Sequence, residues 1–417
     1  MKTRKEILEK LNFEKLSNIQ TKTINEFKKP QNLVIVAPTG TGKTHSYLIP
    51  IYESFQKSDR VGLKLVILVP TNELVFQVTD MVKELFLEYK IRSFYGTMDR
   101  NREIGWLERN EIDVAIGTPS KIKEFIELGH LSFKDLEYLV FDEADMMFEI
   151  DFVNQISPIL KTSKLGKLIL VSATITQTMQ PFIKEFFGNY ILIDTTKEET
   201  LDIKHYYLKT GTRSRLDVLK RLLEVINPFF AIIFVSKKED QDEVFRLVSS
   251  MSKEVDNLSG NLQVRQRRRV IKDAQDLKLQ YLVTSDVASR GIDFQASHII
   301  NFDFPYHLEY FIHRAGRTGR MGQSGEVYSL VGPNDHRKVQ NLEKKGINFQ
   351  EIKVSKGQIE SVKSRTQQIQ EEEMQVIKKI KKPTTVKPNY RKKNKAKIEK
   401  ELKEHRRRKN AKNRKPR

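Results

Sequence analysis

Short runs of aliphatic and β-branched residues alternate along this chain with longer amphipathic stretches. Such alternation is typical of α/β units, whose strands pair in a largely parallel sheet. Predicted strands occupy residues 33–36, 65–69, 114–116, 139–141 and 168–171 in the first half, and 231–235, 281–284, 299–302 and 327–331 in the second. Several end at a polar or glycine-bearing cluster, and open α/β sheets bind ligands at the carboxyl ends of their strands.

Two changes in this pattern divide the chain. Near residues 190–204 the last strand of the first half gives way to a charged stretch, which predicts one domain over 1–198 and a second over 199–356. Residues 357–417 are charged and then rich in Lys, Arg and Asn. A segment of this composition buries too little apolar area to fold alone, so we expect a disordered or partly helical tail.

The formal net charge of +20 over 417 residues is concentrated near the C-terminus. Residues 376–417 contain 20 Lys and Arg against 3 Asp and Glu, which leaves 54 basic and 51 acidic residues elsewhere. A polycationic tail on a nearly neutral body is typical of proteins that bind nucleic acid phosphates, or less often an anionic membrane. A purely solubilising tail is the remaining alternative.

Composition also excludes several classes of site. Cysteine is absent, which excludes disulfides, thiolate metal ligands and cysteine nucleophiles. The eight histidines show no close metal-ligand spacing, so we do not expect a zinc site. No apolar run approaches the ~18 residues of a membrane-spanning helix, and the charged N-terminus is unlike a secretory signal. We therefore expect a cytoplasmic protein without a membrane partner.

A glycine-rich loop follows the first predicted strand. It reads Ala37-Pro-Thr-Gly-Thr-Gly-Lys-Thr44, which matches the P-loop pattern G-x-x-x-x-G-K-[ST] except at its first glycine. Glycines let backbone N–H groups turn toward phosphate oxygens at a helix N-terminus. Lys43 would reach the β- and γ-phosphates of ATP, and Thr44 would bind Mg²⁺. The expected phosphate site consists of Ala37, Thr39, Gly40, Thr41, Gly42, Lys43 and Thr44. A glycine turn before an ordinary helix is the alternative, which the strand–loop–helix context disfavours.

Carboxylates follow the strand predicted at residues 139–141, in the sequence Asp142-Glu143-Ala144-Asp145. A carboxylate at a strand end near a P-loop is what a phosphate-bound Mg²⁺ requires. We expect Asp142 to hold the metal, Glu143 to orient and deprotonate the attacking water, and Asp145 to couple this site to neighbouring motifs. A solvated helix start is the alternative, and the P-loop makes it improbable.

The order of four motifs resembles the DEAD-box RNA helicase family. The P-loop is followed by Asp-Glu-Ala-Asp, then by Ser172-Ala-Thr174, and later by His313-Arg-Ala-Gly-Arg-Thr-Gly-Arg320. The resemblance extends from about residue 11 to residue 342. It implies two RecA-like domains that close on ATP, with Mg²⁺, and on RNA.

The resemblance also assigns roles on the ATP side. Gln20, in the motif at residues 11–20, matches the glutamine that recognises adenine, and Phe13 holds the aromatic position of that motif. Asp293 matches a ribose contact, whereas Arg317 and Arg320 match the arginines that reach the γ-phosphate. The residues implied to couple ATP to domain closure are Asp145, Ser172, Thr174, His313 and Arg314.

On the RNA side the resemblance implies contacts with the sugar–phosphate backbone, which position a strand without reading its sequence. The implied positions in the two domains are Pro70, Thr71, Gly96, Thr118, Gly260, Arg267, Ser285, Arg290 and Gly291. In the tail we expect Arg391, Lys392 and Lys393 to bind RNA electrostatically.

Several positions depart from the family pattern, mainly on the RNA side. Asn72 stands for arginine, Thr97 for glycine, and Ser120-Lys121 for Gly-Arg. Ser259, Asn261 and Val264 stand for His, Asp and Gln, and Thr3 occupies the spacing of an upstream aromatic. We therefore expect weaker RNA binding by the core and more reliance on the tail.

The expected function is RNA-stimulated ATP hydrolysis that drives local, non-processive unwinding or remodelling of short RNA duplexes or RNA–protein complexes. An ATP-gated RNA clamp and a DNA-directed motor are the alternatives. The expected setting is ribosome assembly, mRNA turnover or cold adaptation, with ribosomal or RNA-decay proteins as partners and the chain acting as a monomer.

Overall fold

The computed structural model describes most of the chain, in ranges that include both predicted domains. The described residues are 2–134, 136–148, 152–163, 165–196, 198, 202–289, 292, 294–319, 324–362, 376–377, 394–395 and 398–404. The chain divides into two compact units, residues 1–349 and 350–417. None of the helices formed by the described residues has both the length and the apolar character needed to cross a membrane.

The first sheet is fully parallel, with the strand order β3-β4-β2-β5-β6-β1-β7. Its strands are β1 Asn32–Val36, β2 Leu65–Leu68, β3 Ile91–Phe94, β4 Val114–Gly117, β5 Tyr138–Phe141, β6 Lys167–Ser172 and β7 Tyr190–Asp194. The helices of this part are α1 Arg4–Lys10, α2 Asn18–Glu26, α3 Lys43–Phe55, α4 Asn72–Leu85, α5 Arg100–Leu107, α6 Pro119–Glu127, α7 Ala144–Met147, α8 Phe152–Thr162 and α9 Gln180–Phe186.

Helices cover both faces of this sheet, so its central strands are apolar at successive positions. Along β1, Leu33 and Ile35 pack into one core with α2, α3 and α4. Val34 and Val36 point to the opposite face and pack into a second core with α6, α8 and α9. Because side chains alternate along a strand, a continuous apolar run fills both cores.

Strand order decides which loops meet. Strands β5, β6 and β1 are neighbours, and they pair with Val36 opposite Ser172 and Phe141 opposite Leu170. The carboxyl ends of parallel strands lie at one edge of a sheet. The glycine-rich loop, the acidic cluster and Ser172 therefore lie side by side.

The second sheet has the order β10-β11-β9-β12-β13-β8 among the strands that begin before Phe349, and these are also parallel. The strands are β8 Ile203–Lys209, β9 Ala231–Phe234, β10 Val255–Leu258, β11 Tyr281–Thr284, β12 His298–Asn301 and β13 Gly325–Val331. The helices are α10 Arg215–Leu223, α11 Lys238–Met251, α12 Val264–Gln275, α13 Asp286–Ser289, α14 Glu309–Ala315 and α15 His336–Lys344. The first sheet ends at Asp194, so the proposed boundary at 198/199 falls between the sheets.

The second unit begins within an antiparallel hairpin of β14, Phe349–Ser355, and β15, Gln358–Ser361. Its two-residue turn has positive φ at Lys356 (50°) and Gly357 (72°), as a type I′ turn requires. The predicted start of the tail, residue 357, lies in this turn. Within the tail, residues 376–377, 394–395 and 398–404 are helical, and the rest of the predicted tail beyond residue 362 lies outside the described residues.

The predicted α/β class with two tandem parallel sheets is confirmed, and each predicted strand matches an observed one to within two residues at either end. None of the predicted strand ranges covers β3, β7, β8, β10 or the hairpin of β14 and β15. Strands β3, β7 and β10 are edge strands, and β8 contains Lys204, His205 and Lys209 among its seven residues. Edge strands such as these are only partly buried, so they show a weaker apolar pattern than the central strands.

Burial of two histidines predicts that stability falls at acid pH. Burial lowers the pKa of both His45 and His205 to about 4. The unfolded chain then binds more protons than the folded chain below its ordinary histidine pKa of about 6.5. Folding stability is therefore fully present above that pH and is lost as pH falls toward 4. We expect each histidine to cost about 1–2 kcal/mol on going from pH 7 to pH 5.

The test uses His205, whose ring lies 5.7 Å from that of Phe311 and 5.6 Å from that of Phe349. Urea unfolding of His205→Phe should show a smaller loss of stability between pH 7 and pH 5 than the unsubstituted chain. The exposed His336→Gln is the control. Equal pH dependence in all three proteins would contradict the assignment to His205.

Candidate active site

A cavity of about 760 Å³ lies where loops of the two sheets meet. One side is lined by the glycine-rich loop, Asp142 and Glu143. The other side is lined by Arg314 and Arg317, which come from α14 and the turn after it. Residues that are far apart in the sequence therefore share one cleft.

The glycine-rich loop has the backbone of a phosphate-binding turn. Gly40 and Gly42 have positive φ angles of 83° and 88°, which glycine adopts without strain. Helix α3 begins directly at Lys43, and Gly42 is its N-cap. The Lys43 Nζ donates a hydrogen bond to the Ala37 carbonyl (3.1 Å), so this buried side chain folds back over the loop.

Asp142, at the end of β5, is the most heavily hydrogen-bonded carboxylate of the cleft. Its Oδ2 accepts from the Thr44 hydroxyl (3.2 Å) and the Tyr47 hydroxyl (2.8 Å), and its Oδ1 accepts from the Glu143 N–H (3.0 Å). Burial, and then the nearby charge of Glu143, raises the pKa of Asp142 to about 6. Sequence reasoning identified Thr44 and Asp142 here but not Tyr47.

Glu143 lies in a left-handed backbone conformation, with φ 53° and ψ 50°. Few residues other than glycine adopt this region, because it costs about 1–3 kcal/mol. The turn places the Glu143 carboxylate 3.9 Å from the Lys43 Nζ, at the mouth of the glycine-rich loop. Strain of this kind is concentrated at functional sites.

Gln20 links the N-terminal motif to the glycine-rich loop. Its Oε1 accepts from the Ser17 N–H (2.9 Å) and its Nε2 donates to the Gly42 carbonyl (3.3 Å). A Cβ added at Gly42 would lie 2.4 Å from Gln20 Nε2, so the loop approaches as closely as glycine permits. One amide N–H and one lone pair of Gln20 remain for a ligand, since the side chain offers two of each.

Phe13 packs edge-on against His45, with ring centroids 5.0 Å apart, and both line the cavity. His45 is buried, and its Nε2 has no hydrogen-bond partner among the described residues. Sequence reasoning did not identify this histidine. Thr3 is the N-cap of α1, where its hydroxyl accepts from the Glu6 N–H.

Hydrogen bonds join the acidic cluster to the end of β6, and a longer contact reaches the second domain. The Asp145 N–H donates to Ser172 Oγ (3.2 Å), and Thr174 Oγ1 donates to Asp145 Oδ2 (3.3 Å). The same carboxylate oxygen lies 4.0 Å from His313 Nε2, on α14. The structure thus brings together four residues predicted to couple ATP to closure.

Arg314 is the buried centre of the second domain's motif. It forms a bidentate pair with Asp286 (2.5 and 2.7 Å) and donates to Asn301 Oδ1 (3.0 Å) and the Asp303 carbonyl (2.7 Å). It also donates to Ser236 Oγ (3.1 Å) and is only 2% exposed. Its role here is internal to the second domain.

The turn after α14 carries a second arginine of this motif, Arg317. Arg317 donates to the Ile292 carbonyl and lines the cavity. A Cβ added at Gly316 would lie 2.3 Å from Thr39 Oγ1, so this turn approaches the glycine-rich loop closely. The predicted sites Arg320 and Asp293 lie outside the described residues.

The predicted RNA positions lie at strand ends and helix starts of both domains. Thr71 is the N-cap of α4, Thr118 is the N-cap of α6, and Gly96 donates its N–H to Asn72 Oδ1 (3.0 Å). Asn72, which departs from the family pattern, therefore holds the loop after β3. Pro70 is buried before α4, and Ser285 Oγ accepts from the Ala288 N–H (3.3 Å).

Arg267 is occupied by protein groups. It donates to Glu73 Oε1 (2.6 Å) and to the Ala288 carbonyl (2.5 Å), and so joins α12 to α4. The neighbouring Arg268 stacks on the ring of Phe76 at 4.1 Å. Gly260 has open space around its Cα. The predicted sites Arg290, Gly291, Arg391, Lys392 and Lys393 lie outside the described residues.

The fold and the cleft define a class. A P-loop, an adjacent acidic strand end and a second α/β domain that contributes arginines to the same cleft are the parts of a tandem RecA-like P-loop protein. The chain matches the DEAD/DEAH box helicase family over residues 17–182 and the helicase conserved C-terminal domain over residues 214–322.

Comparisons with individual proteins agree. A Staphylococcus aureus protein named DEAD-box ATP-dependent RNA helicase CshB is 30% identical over 365 residues, which are 86% of this chain and 81% of that protein. The Bacillus cereus protein of that name is 32% identical over 400 residues, 92% of this chain and 91% of the relative. Among solved structures, S. cerevisiae Dbp5 bound to RNA and ADP BeF3 has a similar fold, with TM-score 0.70, 24% identity, and coverage of 82% of this chain and 91% of that one. This chain belongs to the DEAD/DEAH box helicase family.

Replacing the buried Arg314 by lysine should destabilise the second domain by about 2–3 kcal/mol, because lysine cannot supply the planar fork that serves Asp286 and its neighbours. Arg215→Lys is the matched control, since Arg215 pairs with Asp335 at 2.6 Å but is 34% exposed. We expect it to cost no more than about 1 kcal/mol. Equal losses in urea unfolding would show that burial does not set the energy of the Arg314 cluster.

Proposed function

We propose that this chain is an ATP-dependent RNA helicase, in which RNA-stimulated ATP hydrolysis drives local unwinding of short RNA duplexes. The observation that carries the proposal is the single cleft that holds Lys43, Thr44, Asp142 and Glu143 opposite Arg317. These residues belong to two domains, so hydrolysis depends on how the domains meet.

Phosphate binding follows from the loop. Backbone N–H groups at the start of α3 and the Lys43 ammonium face the cavity that would hold the β- and γ-phosphates. The Thr44 hydroxyl and the Asp142 carboxylate, 3.2 Å apart, are the oxygen ligands that Mg²⁺ prefers, and they would hold it together with the phosphates. The bound ion would neutralise charge on the transferred phosphoryl group.

Glu143 is the proposed general base. Its backbone turn projects its carboxylate toward the phosphate end of the cavity, where Lys43 lies 3.9 Å away. There it would orient a water molecule for in-line attack and accept its proton. Lys43 would balance the charge that builds on the phosphate oxygens.

Arg317, with Arg320, would supply positive charge from the second domain, which is worth about 10³–10⁵ in rate where an arginine is supplied across a cleft. The contacts of Asp145 with Ser172, Thr174 and His313 connect the end of β5, where the proposed general base lies, to this domain. Hydrolysis would then be fast only when the domains close.

Adenine recognition would use the free N–H and lone pair of Gln20. The Gly42 and Ser17 backbone groups already orient this amide. Such a fixed amide can form the two-point contact that the N6/N7 edge of adenine offers. Asp293 remains the proposed ribose contact.

The first experiment is steady-state ATP hydrolysis with and without single-stranded RNA. We expect strong stimulation by RNA, and a loss of about 10²–10⁴-fold in Glu143→Gln, which keeps the shape of the side chain and removes the base. Glu9→Gln, at an exposed position of α1, is the matched control.

Other outcomes would favour the alternatives. Tight ATP-dependent RNA binding without RNA-stimulated hydrolysis would favour the clamp. Equal stimulation by single-stranded DNA would favour a DNA-directed motor. In either case the helicase proposal would be wrong.

The tail is proposed to strengthen RNA binding by releasing counterions from phosphates. Truncation after Val362 leaves the hairpin intact and removes the basic segment. RNA affinity at low salt should fall at least about tenfold, and its dependence on log[salt] should become shallower by several units. Replacing Arg391, Lys392 and Lys393 by Gln in the full chain should reduce that slope by about 2. Unchanged RNA affinity across salt concentrations would contradict the proposal.

The remaining expectations stay proposals. They are the domain limits 1–198, 199–356 and 357–417, a role in ribosome assembly, mRNA turnover or cold adaptation, ribosomal or RNA-decay protein partners, a cytoplasmic location and a monomeric state.

A further inference from the structure

The hydroxyl of Tyr47 is buried in direct contact with the proposed metal site. Tyr47 lies on α3, is fully buried, and donates a 2.8 Å hydrogen bond to Asp142 Oδ2. It follows Thr44 by three residues, so both side chains project from one face of the helix. Both hydroxyls reach the same carboxylate oxygen.

These contacts fill most of the acceptor capacity of Asp142. A carboxylate oxygen has two lone-pair sites. The two sites on Oδ2 are used by Thr44 and Tyr47, and one site on Oδ1 is used by the Glu143 N–H. Among the residues that the structure describes, none uses the second site on Oδ1, so a ligand of this carboxylate would approach there.

The three donors are not equivalent. Thr44 is itself a proposed Mg²⁺ ligand, and Glu143 donates through its backbone next to the carboxylate that it anchors. Of the three, only Tyr47 donates from a rigid aromatic ring, and that ring is packed in the hydrophobic core between α3 and the first sheet. Tyr47 is therefore the donor that can keep the Asp142 carboxylate in a fixed orientation when the Thr44 hydroxyl oxygen coordinates an ion.

We propose that Tyr47 is a positioning residue for the Mg²⁺ site. Its hydrogen bond fixes the Asp142 carboxylate so that the remaining acceptor site on Oδ1 faces the ion or a water molecule bound to the ion. This inference rests on the proposed ATPase function. Partners that orient metal ligands typically change metal affinity by about 10–100-fold when removed.

The chain offers a matched pair of variants. Tyr47→Phe removes one hydroxyl and keeps the ring. Tyr52→Phe removes a hydroxyl from the same helix, where Tyr52 is also buried and donates to the Glu88 carboxylate at 2.6 Å. Glu88 is exposed and does not line the cavity, so Tyr52→Phe reports any general effect of losing a tyrosine hydroxyl that donates to a carboxylate from α3.

The measurement is binding of a fluorescent ATP analogue over a series of Mg²⁺ concentrations and in EDTA. In Tyr47→Phe we expect the Mg²⁺ concentration for half-maximal binding to rise about tenfold. Binding in EDTA should stay within about twofold of the unsubstituted chain. Saturating Mg²⁺ should restore most of kcat, because the hydroxyl takes no part in proton transfer. Tyr52→Phe should leave all three quantities unchanged.

Three outcomes would overturn the proposal. An unchanged Mg²⁺ requirement in Tyr47→Phe would show that the hydroxyl only satisfies packing. An equal loss of binding with Mg²⁺ and in EDTA would show that it supports the loop rather than the ion. If the unsubstituted chain itself bound the analogue without any effect of Mg²⁺, the proposed metal site would fail first, and this inference with it.

Discussion

The lateral order β5-β6-β1 is the constraint on which the candidate site depends. Parallel pairing brings the carboxyl ends of these three strands to one edge, so the glycine-rich loop, Asp142 and Ser172 become neighbours. The contacts that join the glycine-rich loop to the acidic cluster in the candidate site follow from this order. A different order of the same strands would keep both cores and separate the lysine from the carboxylates.

Each domain contains a buried charged side chain near the cleft, and the two have different kinds of hydrogen-bond partner. In the first, the buried Asp142 is surrounded by hydroxyl and N–H donors, and none of the described residues uses the second acceptor site on its Oδ1. In the second, the buried Arg314 is satisfied by carboxylate, amide and carbonyl oxygens of its own domain. Arg314 thus fixes the turn that carries Arg317 to the cleft, and the two buried charges organise opposite walls of one cavity.

At the predicted RNA positions, two polar side chains contact other protein groups. Asn72 uses its amide oxygen to hold the Gly96 N–H, and Arg267 pairs with Glu73 across the two domains. Both side chains are thus engaged with protein groups. A nearly neutral body combined with a strongly basic segment after residue 375 places most of the net positive charge outside the two domains.

Local sequence determined the central strands, the P-loop turn and the order of the motifs. Apolar runs and glycine-rich turns depend only on residues that are close together in the sequence. Local sequence also placed Lys43 and Thr44 at the start of a helix, and Asp142 and Glu143 directly after a strand. Tertiary structure alone decided which strands are neighbours, that Tyr47 and not only Thr44 serves Asp142, and that Arg267 meets Glu73 194 residues away. These contacts join distant segments through packing, and edge strands such as β3 and β10 carry too few apolar residues to show their place in a sheet.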